Sequence, residues 1–262
     1  MKSTITLTFG DQAENHVGMQ KIGKLAIEGF NRNDLLDAKK KFEKKGYKCN
    51  IVNLSKNLPK EYAESVEKAY LLIVRDGINC LLSDFTDSGA DELLKEQKTL
   101  VPDKKAFMYG RVVNKVARYN LCFDTVAQEP DYKNGKGRIV AYSTVPMLSK
   151  LRDELEKYFG KKGKGLAVEG NYYYDVKKCY IGYHGDSERV LVIGLRLGAM
   201  IPLHYQWFYK GEEVGDRLKI NFKHGDLYVM SEKATGNDWK LKNVATLRHA
   251  AGTEKVLGFD KN

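Results

Sequence analysis

Residues 170–198 read GNYYYDVKKCYIGYHGDSERVLVIGLRLG. Short runs rich in β-branched and aromatic residues alternate here with Asp, Lys and Gly, which is the texture of successive strands and turns. The same texture starts at GLAVEGNYYY (165–174) and continues through PLHYQWFY (202–209), RLKINFK (217–223), DLYVMSE (226–232) and VATLRHA (244–250). Many short strands with closely spaced turn signals predict a β-sandwich or jelly roll. Within VLVIGLRLG, the two-residue period puts Ile193, Leu195 and Leu197 on one face and Gly194, Arg196 and Gly198 on the other. An Arg in so apolar a strand is costly unless it meets a partner, and two glycines beside it leave space for a ligand.

Upstream the pattern changes. SKLRDELEKYFG (149–160) predicts a helix, with Ser149 as cap, Leu151, Leu155 and Phe159 at every fourth position, and Gly160 as stop. The first hundred residues alternate between the two periods. Strands are expected at Ile5–Phe9, Lys48–Leu54 and Ala69–Val74, and helices at Asn33–Lys45 (capped by Asn33), Lys60–Lys68 and Asp91–Gln97. The expected organisation is α+β: a small N-terminal α/β region over 1–102, a boundary at Pro102–Lys105, and a double-stranded β-helix (jelly-roll) domain over 103–262. Neither GxGxxG nor a Walker A loop is present, so those phosphate-binding devices are excluded.

The formal charge is +10 and unevenly placed. Residues 1–100 hold 16 Lys and Arg against 15 Asp and Glu; residues 101–262 hold 28 against 19, a balance of +9. Such a bias fits contact with an anionic partner, and equally a solvated lysine-rich surface. Cys49, Cys80, Cys122 and Cys179 form no C-x-x-C pair, which argues against a zinc ribbon and suits reduced thiols. The start, MKSTITLTFG, alternates like a strand and lacks the apolar run of a secretory signal, and no run is long enough to span a membrane. The expectation is an intracellular protein, cytoplasmic or nuclear, with no membrane contact.

The tripeptide HGD occurs twice, at His184–Asp186 and at His224–Asp226. A His and an Asp two apart share one face of a strand, so His184 and Asp186 both point inward if their strand runs through them. His249, in VATLRHA near the C-terminus, is the natural third ligand. Two His and one carboxylate on one face leave positions open on an octahedral ion, which suits non-haem Fe(II) with a bidentate 2-oxoacid and O₂. The second copy lies between INFK and LYVM, two alternating runs, and reads as a hairpin turn. His16, in a loop, and His204, in an aromatic strand, read as ordinary structural histidines.

These elements in their order resemble the AlkB-like family of Fe(II)/2-oxoglutarate-dependent dioxygenases over roughly residues 107–255. The matching features are Asn171-x-Tyr173, the H-x-D-x-E of His184, Asp186 and Glu188, the apolar strand Val190–Gly198, the Gly225–Met230 run and the distal His249. The resemblance implies iron held by His184, Asp186 and His249, with Asn171 and Tyr173 hydrogen-bonding 2-oxoglutarate. It implies oxidative decarboxylation of that cosubstrate to succinate and CO₂, coupled to oxidation of a C–H bond. One family feature is missing. An R-x-N-L-T-F-R-like strand, whose first Arg grips the distal carboxylate, should follow the distal His, yet no Arg follows His249. The look-alike ARYNLCF (117–123) precedes the H-x-D and reads as coincidence or a substrate-facing strand. Arg196 is the first choice for the missing cation, with Lys255, Lys261 and Arg248 as alternatives. The resemblance and the basic half together point to a base of DNA or RNA as substrate, stacked by aromatics such as Tyr119, Tyr172, Tyr174 or Trp239. A protein side chain or small metabolite is the alternative substrate for the same iron chemistry.

Overall fold

The computed structural model describes residues 2–259, and the fold is α+β, dominated by sheet. The chain opens with β1 (Thr4–Gly10), the short hairpin β2 (Gln12–Glu14) and β3 (Lys21–Gly23), and helix α1 (Arg32–Lys44). β4 (Cys49–Asn53), α2 (Lys60–Ala63), β5 (Tyr70–Val74), α3 (Gly77–Leu82) and α4 (Gly89–Lys98) follow. Next come the hairpin β6 (Lys105–Met108) and β7 (Arg111–Asn114), then β8 (Tyr119–Asp124), β9 (Ile139–Ala141) and α5 (Pro146–Phe159). The remainder is β10 (Ala167–Tyr173), β11 (Ile181–His184), β12 (Val192–Gly198), β13 (Ile201–Tyr209), β14 (Glu212–Phe222), β15 (Leu227–Met230), α6 (Glu232–Thr235), β16 (Thr246–Ala251) and α7 (Glu254–Leu257). No helix among the described residues is long and apolar enough to cross a membrane.

Eight strands form one sheet in the order β4-β5-β15-β12-β1-β10-β8-β9, and four form another in the order β11-β16-β13-β14. The large sheet has two differently covered faces. Ile5, Leu7 and Phe9 of β1 and Ile193, Leu195 and Leu197 of β12 share one core cluster with Leu35, Ala38 and Phe42 of α1 and Leu148, Leu151 and Leu155 of α5. A second cluster joins Leu71 and Ile73 of β5 and Tyr228 and Met230 of β15 to Tyr205 and Trp207 of β13 and Phe222 of β14. Helices therefore cover one face and the small sheet covers the other. The two-residue period of VLVIGLRLG predicts this partition: Ile193, Leu195 and Leu197 go to the helices and Arg196, with Val192, goes between the sheets.

The expected division at residue 102 is corrected by strand pairing. β1 lies between β10 and β12, antiparallel to both, with Leu7 opposite Gly170 and Leu195. β5 pairs with β15, so residues from both sides of 102 build one sheet. The N-terminal residues supply central strands because their alternation, TITLTFG, buries apolar side chains on the helix face and threonines on the other.

Local corrections have physical causes. Helix α1 is capped by Asn31, two residues before the expected Asn33, because the Asn31 side chain accepts from the Asn33 and Asp34 amides while Asp34 reaches back to the Asn31 amide. Helix α5 starts at Pro146, not Ser149. Its first amides, of Met147 and Leu148, are capped from outside by the Glu96 carboxylate at 2.8 and 3.0 Å, and Ser149 Oγ donates to Tyr142 O instead. α2 stops at Ala63 rather than Lys68, and it buries no residue that would extend it. Residues 223–226 do turn, but not as a hairpin: β14 pairs with β13 in the small sheet, whereas β15 pairs with β12 and β5 in the large one.

Candidate metal centre

β11 and β16 are antiparallel neighbours, and their register sets His184 directly opposite His249, ring centroids 4.3 Å apart. His249 thus sits inside its strand. β11 stops at His184 and Asp186 lies just beyond it. Asp186 is turned inward by a different device: its amide donates to Thr235 O at 2.9 Å, pinning it to the last residue of α6. The intervening Gly185 permits that approach, since a Cβ there would collide with Gly236 O.

One ligand atom from each of His184, Asp186 and His249 lies within 4.8 Å of the others, a group that could bind a metal ion. The donor chemistry fits. His184 Nδ1 faces Gly182 O at 2.9 Å; a carbonyl only accepts, so in the neutral ring the proton sits on Nδ1 and Nε2 presents its lone pair. Asp186 Oδ1 is 3.5 Å from His184 Nε2 and 3.7 Å from His249 Nε2. Burial raises the cost of an ionised Asp186, yet His249, His184 and Arg189 more than offset it and hold the carboxyl well below the usual range. Burial, reinforced by His184, brings the His249 imidazole down to about 3, so it is neutral at pH 7. Three electron-pair donors face one another across a gap that a cation would bridge.

The second HGD does not join this group. His224 Nδ1 accepts from the Gly198 amide at 3.0 Å. The buried Asp226 carboxylate accepts from Arg75 Nη1 at 2.5 Å and from the amides of Asp76 and Lys223, which locks the crossover between the sheets. His204, fully buried, meets Gly252 O at 3.0 Å.

The triad opens into a cavity of about 430 Å³ whose other walls include Asn171, Tyr173, Arg196, Arg118 and Trp239, as well as Thr6 and Thr8 of β1. Arg196 is 1% exposed. Its Nη1 donates to Thr6 Oγ1, its Nε has no partner, and no carboxylate among the described residues pairs with it. The glycines beside it do not leave space for a ligand: a Cβ on Gly194 would enter the Tyr228 ring, and one on Gly198 would approach Ser3 O at 2.7 Å. Arg118 Nε donates to Asn171 Oδ1 at 2.6 Å, so ARYNLCF does bring a cation to the cavity.

No protein-family model matches the chain. A protein of Acanthamoeba polyphaga mimivirus named Uncharacterized protein R156 is 48% identical to it over 257 residues, covering 98% of each chain. The chain belongs to the family of that viral protein. The match spans the N-terminal strands as well as the segments that carry the triad.

The remaining candidates divide. Lys255 is exposed on α7, and Arg248 is held between Phe208 (4.1 Å) and Trp239 (5.3 Å), outside the cavity lining. Lys261 lies outside the described residues. Tyr172 faces the helices, its hydroxyl on Gln97 Oε1 at 2.9 Å, and is corrected as a stacking candidate. Tyr119 and Tyr174 stack on each other at 4.9 Å outside the cavity. Trp239 lines it, with Nε1 unpartnered. Sequence reasoning misses Glu14, Glu169 and Arg189, and misjudges His16, which also lines the cavity. Glu169 is within its reach, since it stands two residues before Asn171 and therefore shares its face of β10.

Proposed function

We propose that this protein is an AlkB-like Fe(II)/2-oxoglutarate-dependent dioxygenase that oxidises, by demethylation or hydroxylation, a base in DNA or RNA. The observation that carries the reading is a buried, unpaired Arg196 in the same cavity as a two-His, one-carboxylate group. A buried cation without a counter-charge calls for an anionic ligand, and a dicarboxylate that also chelates an ion at the triad satisfies both. With iron bound at His184, Asp186 and His249, the centre would couple O₂ reduction and 2-oxoglutarate decarboxylation to oxidation of a C–H bond. The chain's own residues do the rest. Arg196 and Thr6 hold the distal carboxylate, Asn171 and Tyr173 orient the cosubstrate, and the packed sheets exclude water.

The order in which the chain visits the sheets supports a double-stranded β-helix. β10 and β12 lie in the large sheet with β11 between them in the small one; β13 and β14 lie in the small sheet, β15 in the large and β16 in the small. The next large-sheet place, between β12 and β10, is filled by β1. The strand that the family carries after its distal His has its counterpart, on this reading, at Thr6–Phe9 (TLTF), with its Arg moved across the register to Arg196, opposite Thr6.

Nucleic acid is favoured by a local charge bias. Residues 104–118 hold Lys104, Lys105, Arg111, Lys115 and Arg118 and no Asp or Glu. They form the β6–β7 hairpin, whose tip residue Tyr109 is 90% exposed, and lead to Arg118 on the cavity wall. Cations beside exposed aromatics suit phosphates beside bases. The test is 2-oxoglutarate turnover with Fe(II), run with methylated DNA, methylated RNA and no nucleic acid. Stimulation by an oligonucleotide supports the proposal. Equal turnover in all three arms moves the substrate to a protein side chain or metabolite, and no turnover with loss of metal binding removes the oxygenase reading.

A further inference from the structure

We propose that Arg189 is a positioning residue that decides which oxygen of Asp186 meets the metal, and that Glu169 holds Arg189 in that role. The inference rests on the metal-centre reading above. Arg189 is 4% exposed. Its Nη2 lies 2.7 Å from Glu169 Oε2 and 2.7 Å from Glu188 Oε1, and its Nε is 3.1 Å from Glu188 Oε1. A guanidinium tied on two sides has little freedom to turn.

Its Nε edge lies 4.0 Å from Asp186 Oδ2. The other oxygen, Oδ1, faces His184 and His249 at 3.5 and 3.7 Å. The two oxygens of one carboxylate are thus differentiated. Oδ1 converges with the imidazoles, and Oδ2 is drawn toward a buried positive charge. An ion chelated by both oxygens would have to pull Oδ2 from Arg189, so the arrangement favours attachment through Oδ1 alone. That leaves a coordination position for other ligands.

Glu169 makes this arrangement specific to the cavity wall. Its Oε2 takes Arg189, and its Oε1 accepts from Asn171 Nδ2 at 2.9 Å. Asn171 in turn accepts from Arg118 and from Asn120 Nδ2 at 2.7 Å. One hydrogen-bonded chain therefore runs from the metal ligand, through Arg189 and Glu169, to the side chain proposed to meet the cosubstrate. A merely structural ion pair would need only Glu169 and Arg189. The approach of Nε to Asp186 is the additional feature, and it predicts an effect on metal binding separate from any effect on folding.

The experiment is a Co(II) titration of the full-length protein, followed by calorimetry and by the visible absorption of the bound ion. The wild type is compared with Arg189→Lys, Arg189→Met and the double variant Arg189→Met/Glu169→Gln, which removes the cation together with the charge that it balances. Both Met-containing variants are expected to bind Co(II) about 10–100-fold more weakly, as for loss of other outer-sphere partners, and with a shifted absorption band. Arg189→Lys, which keeps the charge but not the fork, falls between them and the wild type. A folded double variant with wild-type affinity and spectrum overturns the proposal. If the Met variants do not fold, Arg189→Lys decides in the same way: unchanged affinity and spectrum overturn it. Absence of Co(II) binding by the wild type is a different failure, which removes the metal-centre reading and this inference with it.

Discussion

Replacing Arg196 by Met tests the cosubstrate site most directly, because the structure gives opposite signs for stability and binding. Arg196 is 1% exposed, donates to Thr6 Oγ1, and has a buried Nε without a partner. Met has a comparable length and no charge. In ligand-free protein the substitution removes a buried, uncompensated cation, so stability should hold or rise. Binding should fall steeply. Each charge-assisted hydrogen bond to a carboxylate contributes roughly 1.5–3 kcal/mol. A guanidinium that makes two of them would give about 3–6 kcal/mol, or on the order of 10²–10⁴ in Kd at 1.4 kcal/mol per tenfold.

Thermal unfolding reads both signs in one assay. With Mn(II) present to occupy the metal centre without turnover, 2-oxoglutarate at about 100 times its Kd should stabilise the wild type by about 2.7 kcal/mol. For a chain of this size that corresponds to roughly 5–10 °C in Tm. Arg196→Met should show the same or a higher Tm without 2-oxoglutarate and no shift on adding the same concentration. A full shift in the variant would refute the assignment of the anchor. A ligand-free variant several kcal/mol less stable than wild type would refute the argument that Arg196 is held for a ligand rather than for the fold.

Four further outcomes are expected. His184→Ala and Asp186→Ala should abolish Co(II) binding by calorimetry, while His224→Ala leaves it intact; Asp226→Ala should cost roughly 2–4 kcal/mol of stability by stranding buried donors, without loss of the metal. Leu7→Ala, at a fully buried position of β1, should cost about 2–5 kcal/mol in urea unfolding with a single cooperative transition, whereas an N-terminal region that folds apart from the rest would give two. Burial holds the Lys115 amine down to about 8 in the folded state, so the unfolded chain binds more protons between pH 8 and about 10.5 and this residue's contribution makes stability rise with pH there, by up to about 1.4 kcal/mol per unit; the rise should be missing from Lys115→Met in paired denaturation curves. Replacing Lys104, Lys105 or Arg111 by Ala should lower the slope of log affinity against log salt for an oligonucleotide by about one for each phosphate that is no longer neutralised, and a slope unchanged in all three would place the nucleic acid elsewhere.

The parts of the fold legible in the sequence are those in which one local pattern decides. The period-two alternation of VLVIGLRLG assigns each side chain of β12 to the helix face or the inter-sheet face, and the structure agrees residue by residue. Element ends are less legible, because they are set by partners distant in sequence. Glu96 caps α5 from α4, fifty residues upstream, and nothing near Ser149 announces it. The turn at Gly225 is legible as a bend, but the sheet that each flanking strand joins depends on pairings that its own residues do not specify.

The candidate site divides along the same line. His184 and His249 come together because β11 and β16 pair in register, Asp186 joins them through its amide bond to Thr235 O, and H-x-D spacing with a distal His is a pattern that a single sequence can carry. The wall opposite is assembled from residues that are ordinary one at a time: Thr6, Glu14, Arg118, Glu169 and Arg189. The N-terminal strand is the largest departure from the sequence reading, and its cause is topological. TITLTFG reads as a strand, with apolar and hydroxyl residues on opposite faces, and it is one. A strand's local pattern says which side chains share a face, but not which strands will flank it. β1 lies between β10 and β12, with Gly170 and Leu195 opposite Leu7 on the helix face and Glu169 and Gly194 opposite Thr8 on the other. That placement sets Thr6 opposite Arg196 and Asn171 on either side. The residue proposed to bind the cosubstrate carboxylate and the residue proposed to orient the cosubstrate are therefore bridged by a strand whose own sequence suggests a separate region.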